Sequence, residues 1–118
     1  MISSTPAPID KKRQRLLQKE LARWKPLLIQ HFNPEKIILF GSLPNQTVHE
    51  WSDVDLVIIQ QTDLPFTKRI RQALLLLQPK VGVDLLIYTP EEFEQLTQER
   101  RFIREEILEK GRVLYERW

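Results

Sequence analysis

The 118-residue sequence has no cysteine, three glycines and two histidines. Without cysteine, disulfide bonds, thiolate catalysis and sulfur-ligated zinc are all excluded. His31 and His49 lie far apart and lack the spacing of a metal-binding pair. No apolar run approaches the roughly 20 residues of a membrane-spanning helix, and the leucine run ends after Leu74–Leu77. These absences favour a reduced, cytoplasmic setting with no membrane contact.

The amino-terminal segment also lacks a charged start followed by an apolar stretch, so a signal peptide is not expected. Residues 1–8 contain two prolines and no apolar pattern, which predicts a flexible tail. A chain of this length is typical of one domain, which we place at residues 9–118.

The net charge of +2 is small but unevenly distributed, because residues 10–25 hold seven basic and two acidic side chains. Such a segment can bind nucleic acid or an acidic partner, or it can be a solvated helix face. The small overall excess favours the solvated face over nucleic acid as a partner. Five of these side chains cannot share the apolar side and are therefore expected to lie outside any catalytic site: Lys11, Lys12, Arg13, Arg15 and Lys19.

Helical periodicity begins near Ile9, and an apolar stripe marks the core side of this helix: Leu17, Leu21, Trp24 and Leu28. Pro26 removes a helix donor and clashes with the preceding turn, which predicts a kink or a restart. A second helix is predicted from Phe66 to Gln78, and a third from Pro90 to about Lys110.

The third helix has the clearest local signals. Thr89 and Glu92 form a capping box around Pro90, and Gly111 is the expected C-cap. Strands are predicted in three apolar, β-branched segments: residues 35–40, Val54–Gln60 and Val81–Tyr88. Residues 112–117 could add a fourth strand or form an extended tail. Helices that alternate with strands predict an α/β (α+β) domain with a three- to four-stranded sheet flanked by helices.

Three aspartates interrupt the apolar strands, although aspartate is a poor strand former and costly to bury unpaired. Asp53 and Asp55 share one strand face, about 7 Å apart along the backbone. The interval from Asp55 to Asp84 contains one helix and has the size of a βαβ crossover, so their strands are expected to be parallel. Asp84 should then lie beside the pair, on the adjacent strand or one strand further.

Carboxylates placed this close repel each other unless one is protonated or a cation lies between them. Oxygen ligands of this kind suit Mg²⁺ or Mn²⁺, which complete their shells with water and phosphate. Gly41-Ser42, at the end of the first strand, can bring backbone N–H groups and a hydroxyl close to phosphate oxygens. For this turn to face the aspartates, the first two strands must be antiparallel, which makes the sheet mixed.

Each motif alone has a structural explanation: Gly41-Ser42 is a common turn, and Asp53-Val54-Asp55 could be the solvated start of a strand. Their order and spacing together favour a site. Gly41-Ser42, ten residues and Asp53-Val54-Asp55 match the Gly-Ser-x₁₀-Asp-x-Asp signature of the nucleotidyltransferase superfamily, with Asp84 at its third acidic position. Together with the closing residues 111–116, the region from Trp24 to Trp118 resembles the minimal nucleotidyltransferases (MNT).

The resemblance implies a mixed-sheet palm that binds ATP with Mg²⁺ or Mn²⁺. Asp53 and Asp55 would ligate the metals, Asp84 would ligate one metal and help to activate the attacking hydroxyl, and Gly41 and Ser42 would hold the triphosphate. Many relatives are antitoxins paired with HEPN-domain ribonuclease toxins, and some silence the toxin by transferring AMP to one of its tyrosines. The sequence departs from the family pattern in one place. Residues 43–48 supply neither the basic residue nor the glycine that the family usually has soon after Gly-Ser.

Three functions therefore remain open. The first is Mg²⁺-dependent transfer of AMP from ATP to a hydroxyl of a HEPN-type toxin. The second is a catalytically weak or inactive MNT fold that neutralises the toxin by binding, and the third is a nucleic-acid-binding module that uses the basic helix 10–25. A P-loop ATPase is excluded because no Gly-x₄-Gly-Lys motif is present. A partner, or a second copy of the chain, would dock on apolar residues off the core stripes: Leu75, Leu76, Phe102 and Trp118.

Overall fold

The computed structural model describes residues 8–117, which form a four-stranded sheet flanked by helices. The elements in chain order are α1 (Lys11–Phe32), β1 (Lys36–Phe40), β2 (Val54–Ile59), α2 (Phe66–Leu77), β3 (Val83–Tyr88), α3 (Pro90–Glu99), a π-helical segment (Ile103–Glu109) and β4 (Arg112–Glu116). Apart from Pro8, the predicted tail at residues 1–8 lies outside the described residues. Within residues 8–117, no helix has the length and apolar character to cross a bilayer.

Helix α1 is fixed at both ends by local hydrogen bonds. The Asp10 side chain accepts a bond from the Arg13 backbone N–H at 2.8 Å and so caps the first turn. Asn33, with φ of 45°, ends the helix in the left-handed region. The predicted apolar stripe is buried, from Leu17 to Leu28.

Pro26 does not divide this helix, so the predicted restart is wrong: α1 continues through it to Phe32. A proline removes one helix hydrogen bond and its ring crowds the preceding turn, but neither effect ends the helix here. Trp24 and Leu28, on either side of Pro26, are fully buried against the sheet. Their packing holds the helix in place across the missing bond.

The sheet has the strand order β3-β2-β1-β4 and is mixed, as predicted. Strands β2 and β3 are parallel, with Asp55 opposite Asp84. Strand β1 is antiparallel to β2, with Phe40 opposite Asp55, and antiparallel to β4 on its other side. The end of β1 therefore meets the start of β2 and of β3 at one edge of the sheet.

The two faces of the sheet are covered by different helices. Helices α1 and α2 pack on the face that carries Leu39, Leu56 and Ile87. On the other face, α3 and the π-helical segment pack against residues that include Ile38 and Val57. Because side chains alternate along a strand, Asp55 shares this second face with Val57.

The helix predicted after β3 is divided in the structure. Thr89 and Glu92 form the predicted capping box, but α3 ends at Glu99, so a continuous helix to Lys110 is wrong. Arg100 is extended, with φ of −115° and ψ of 115°. Helix α3 contacts β3, whereas the π-helical segment contacts β1. The break redirects the chain across the sheet, which one straight helix could not do.

Gly111 is not the C-cap, because Lys110 occupies that position. The glycine is required for close approach instead: a Cβ at Gly111 would overlap the carbonyl oxygen of Ile107. Residues 112–116 then form β4, which resolves the open choice between a strand and an extended tail.

Candidate active site

Asp55 and Asp84 lie directly opposite each other on β2 and β3. Asp55 is half-buried and Asp84 is exposed. Burial, followed by a hydrogen bond with Asp84 and the charges of Asp84 and Asp53, raises the pKa of Asp55 to about 7. The two carboxylates are therefore close enough to share a proton when no cation lies between them.

Gly41 places the backbone of the β1–β2 turn against Asp55. Its φ of +79° lies in the left-handed region, which favours glycine. A Cβ at this position would collide with the Asp55 carboxylate. Asn45 Nδ2 donates to the Gly41 carbonyl at 2.8 Å, and the Thr47 N–H donates to the Ser42 carbonyl at 3.0 Å. These bonds fix the Gly41-Ser42 turn beside the aspartate.

Asp53 faces α1 and the start of β3. Its Oδ1 lies 3.7 Å from Nη2 of Arg13, and its side chain is 46% exposed. Gly82 lies against the same carboxylate, since a Cβ there would overlap it. Within residues 8–117, no three acidic or histidine side chains converge into a complete ligand set for a metal. The structure thus pairs Asp55 with Asp84 and leaves Asp53 next to them but turned toward Arg13.

Two residues at this site were not predicted from the sequence. Arg13 was expected to lie outside it, and that expectation is wrong. Its Nε donates to the carbonyl of Ser52, which is 39 residues away in the chain, at 2.8 Å, so no local pattern could indicate the contact. Gly82 could have been found from the sequence only by a weak signal: it is a glycine inside a predicted strand, two residues before Asp84. The strand in fact begins at Val83, and Gly82, directly before it, is the point where the backbone approaches the Asp53 carboxylate.

The loop after Ser42 serves the core rather than the site. Leu43 is 4% exposed and Val48 is 1% exposed, and both belong to the cluster formed with α1 and α2. The position directly after Gly-Ser therefore cannot present a side chain to a ligand. The absence of a basic residue from positions 43–48 thus coincides with a loop whose two ends pack into the core.

The carboxylates fit a divalent cation by the chemistry of their donors. All the side-chain donors are carboxylate oxygens, the type that Mg²⁺ and Mn²⁺ prefer. Among residues 8–117, no lysine or arginine forms an ion pair with Asp55 or Asp84. Their repulsion is thus left for a proton or a cation to offset.

Comparison with known proteins agrees with this geometry. Residues 23–118 match the model of the family described as Polymerase beta, Nucleotidyltransferase. The chain belongs to this family, and the predicted relationship to the nucleotidyltransferase superfamily is confirmed. No curated protein sequence gives a significant match.

Two solved structures are similar to the chain. A candidate nucleotidyltransferase from Sulfolobus solfataricus superimposes with a TM-score of 0.66 at 13% identity, over 98% of this chain and 94% of that one. The likeness shows the fold and confirms the predicted mixed sheet with flanking helices. A toxin–antitoxin structure with AMP-PNP matches at a TM-score of 0.45 and 18% identity, over 87% of this chain and 73% of that one.

Proposed function

We propose that the protein transfers AMP from ATP to a hydroxyl group of a partner protein. One observation carries the proposal: in a chain of the nucleotidyltransferase family, Asp55 and Asp84 pair across parallel strands against the Gly41 turn, with no cation paired to either in the described residues. That arrangement is costly without a ligand. A bound divalent cation would offset this cost, and its remaining coordination positions suit the oxygens of a triphosphate.

Asp53, Asp55 and Asp84 would hold Mg²⁺ or Mn²⁺. A bound divalent cation neutralises phosphate charge and polarises the reacting phosphoryl group. The backbone of Gly41 and the hydroxyl of Ser42 would hold phosphate oxygens. Catalysis would then consist mainly of positioning and charge stabilisation, as phosphoryl transfer generally requires.

Asp84 would take the proton of the acceptor hydroxyl, since it is exposed at the sheet edge where an acceptor can approach. The acceptor oxygen forms a bond to the α-phosphorus of ATP, and the bond between that phosphorus and pyrophosphate breaks. The hydroxyl proton passes to the Asp84 carboxylate, and the leaving pyrophosphate carries away the electron pair.

The acceptor would be a tyrosine of a HEPN-type toxin, and the protein would act as its cytoplasmic antitoxin. An exposed aromatic surface beside the site supports a protein acceptor. Phe102 is 49% exposed and packs edge-on against Phe40, with ring centroids 6.0 Å apart. Phe40 is in turn the register partner of Asp55.

The other residues expected at a docking surface differ in exposure. Leu75 is 67% exposed, whereas Leu76 packs against the main core and is a poor candidate. Trp118 lies outside the described residues. Phe102 is therefore the contact residue that the position of the site favours.

The decisive experiment mixes the protein with ATP radiolabelled at the α-phosphate, Mg²⁺ and the product of the neighbouring gene. We expect label in the neighbouring protein, lost in Asp55→Asn and retained in Asp63→Asn. Asp63 is an exposed loop aspartate outside the site, so it controls for the charge change. Neutralisation of the toxin without any label would instead identify a protein that acts by binding.

Binding without catalysis is the second candidate function, and the buried Leu43 favours it. Leu43 follows Gly41-Ser42 directly and is buried, and residues 43–48 contain no basic side chain that could contact a triphosphate. A nucleic-acid-binding module is the third candidate, supported by exposed basic residues on α1 such as Lys12, Arg15 and Lys19. Strong salt-dependent binding of RNA or DNA would support it.

A further inference from the structure

Arg13 is held in a defined position beside the carboxylates. Its Nε donates to the Ser52 carbonyl at 2.8 Å, and its side chain is only 23% exposed. The start of α1 is itself fixed, because the Asp10 N–H donates to the Val48 carbonyl at 2.9 Å. The guanidinium therefore reaches the site from a helix anchored to the β1–β2 loop.

The contact between Arg13 and Asp53 is loose compared with the anchoring bond. Charge-assisted N–H···O bonds are typically about 2.7–2.9 Å long, whereas Arg13 Nη2 lies 3.7 Å from Asp53 Oδ1. A guanidinium has five N–H donors, and within residues 8–117 only the one on Nε of Arg13 forms a short bond. The Nη groups can therefore accept a new anionic partner while the Nε anchor stays in place.

The charge balance at the site calls for a cation such as the Arg13 guanidinium. The three aspartates bring negative charge to one sheet edge, and a triphosphate adds more. Within residues 8–117, Arg13 is the one basic side chain that forms an ion pair with any of these aspartates. The position after Ser42 cannot contribute a cation, because Leu43 is buried in the core.

We propose, building on the proposed function, that Arg13 is the triphosphate-binding cation of this protein and that it exchanges partners. Without ligand it pairs with Asp53. When a divalent cation takes the Asp53 carboxylate, the Nη groups of Arg13 donate to a phosphate oxygen of the nucleoside triphosphate. The exchange keeps both the carboxylate and the guanidinium paired in each state.

The exchange has a signature that an ordinary surface ion pair lacks. A purely structural pair of this exposure would contribute little to stability and would not assist nucleotide binding. Under the exchange, Arg13 competes with the metal for Asp53 but assists the nucleotide. Loss of its charge must therefore shift metal affinity and nucleotide affinity in opposite directions.

The test compares Arg13→Gln and Arg13→Lys with the matched control Arg15→Gln, which removes an exposed charge from the same helix. Calorimetric titration with Mn²⁺ alone is expected to show about threefold tighter binding in Arg13→Gln, since a surface ion pair no longer competes. Titration with a non-hydrolysable ATP analogue and Mg²⁺ is expected to show about tenfold weaker binding, the size of a lost charged hydrogen bond. Arg13→Lys should retain part of the nucleotide affinity, and Arg15→Gln should match the wild type in both titrations.

Nucleotide affinity in Arg13→Gln equal to that of Arg15→Gln would overturn the inference while leaving the proposed function intact. A parallel loss of metal and nucleotide affinity would also overturn it, because it would mean general damage to the site. If Arg13→Gln does not fold, Arg13→Lys still decides: full loss of nucleotide affinity in a folded Lys variant contradicts a role for the charge. Wild-type protein that binds neither Mn²⁺ nor the analogue would refute the proposed function itself.

Discussion

Glu20 and Asp55 are both carboxylates removed in part from water, yet the fold treats them in opposite ways. Glu20 is 4% exposed and accepts bonds from Arg23 Nε at 2.7 Å, Arg23 Nη2 at 3.0 Å and the Lys80 N–H at 2.6 Å. The Arg23 side-chain bond, more than any other contact, lowers the pKa of Glu20 to about 2. Burial and the neighbouring aspartates raise the pKa of Asp55 to about 7.

The buried arginine of α2 follows the pattern of Glu20. Arg69 donates to the Glu92 carboxylate at 2.6 Å, to the Leu64 carbonyl at 2.7 Å and to the Ile87 carbonyl at 3.1 Å. Glu20 and Arg69 are thus both partnered by groups within the fold. The aspartate cluster is not fully partnered, and a strongly raised pKa such as that of Asp55 is typical of functional sites.

Asp55→Asn tests the functional side of this comparison and should have the largest effect. We expect nucleotide transfer to fall by more than about 100-fold, the upper range for losing a supporting residue of a metal site. Stability should not fall, because an amide removes the repulsion with Asp84 and keeps a hydrogen-bonding group. Transfer assays and urea unfolding measure the two quantities.

Asp63→Asn is the matched control and should leave nucleotide transfer and stability unchanged. Wild-type transfer by Asp55→Asn would contradict the assignment of the site. A large loss of stability in this variant would show that Asp55 is a structural residue like Glu20.

Gly82→Ala sharpens the comparison through Asp53 and should have an intermediate effect. The added methyl group overlaps the Asp53 carboxylate, which must move. A half-exposed side chain can move at small cost, so we expect the unfolding free energy to stay within about 0.5 kcal/mol of the wild type. The displaced ligand should lower transfer by about tenfold or more, since positioning errors near 1 Å cost up to about 100-fold.

Gly111→Ala provides the contrast, because its methyl group would overlap the backbone carbonyl of Ile107 rather than a side chain. Gly111→Ala should lower the unfolding free energy. Nucleotide transfer should fall only to the extent that the protein is unfolded. Equal stability losses in the two variants would mean that Gly82 also serves the fold.

Glu20→Gln tests the structural side and should have the smallest effect, confined to stability. The pKa of Glu20 is about 2 in the folded protein against 4.5 as its ordinary value. Its stabilising contribution is therefore complete above about pH 4.5 and is lost as the pH falls toward 2. Glu20→Gln should lower the unfolding free energy at pH 7 by about 1.5 kcal/mol, the value of a hydrogen bond to a charged group.

The difference between wild type and Glu20→Gln should shrink as urea titrations are repeated from pH 5 to pH 3. Glu94→Gln, on the exposed face of α3, controls for the loss of one charge. A difference that stays constant with pH would show that the Glu20 carboxylate is not the source of the stability.

Much of the fold follows from local signals in the sequence. The capping box at Thr89 and Glu92, the apolar strands and the βαβ interval all predict structures that are observed. These signals are short-range and depend on residue type and spacing. The juxtaposition of Asp55 and Asp84 followed from them, because strand parity and a parallel crossover determine it.

The errors arise where tertiary packing overrides local preference. Pro26 sits inside a helix because buried residues on both sides hold it, and Arg100 breaks a helical pattern because α3 and the π-helical segment cover different strands. The sequence predicts a solvated Arg13 because the apolar stripe of α1 shows only which side of the helix faces the core. It does not show which loops contact the residues that flank the stripe. The opposite treatment of Glu20 and Asp55 depends on partners that no local pattern indicates.

The amino-terminal half of α1 has a practical consequence for how this domain is delimited. The family match begins at residue 23, whereas the helix begins at Lys11 and buries Leu17, Glu20 and Leu21 before that point. An expression fragment cut at the family boundary would uncover the sheet beneath these residues and leave the Lys80 N–H without its acceptor. Truncation series should therefore retain the chain from Asp10 onward, because the first two turns of α1 belong to the folded unit.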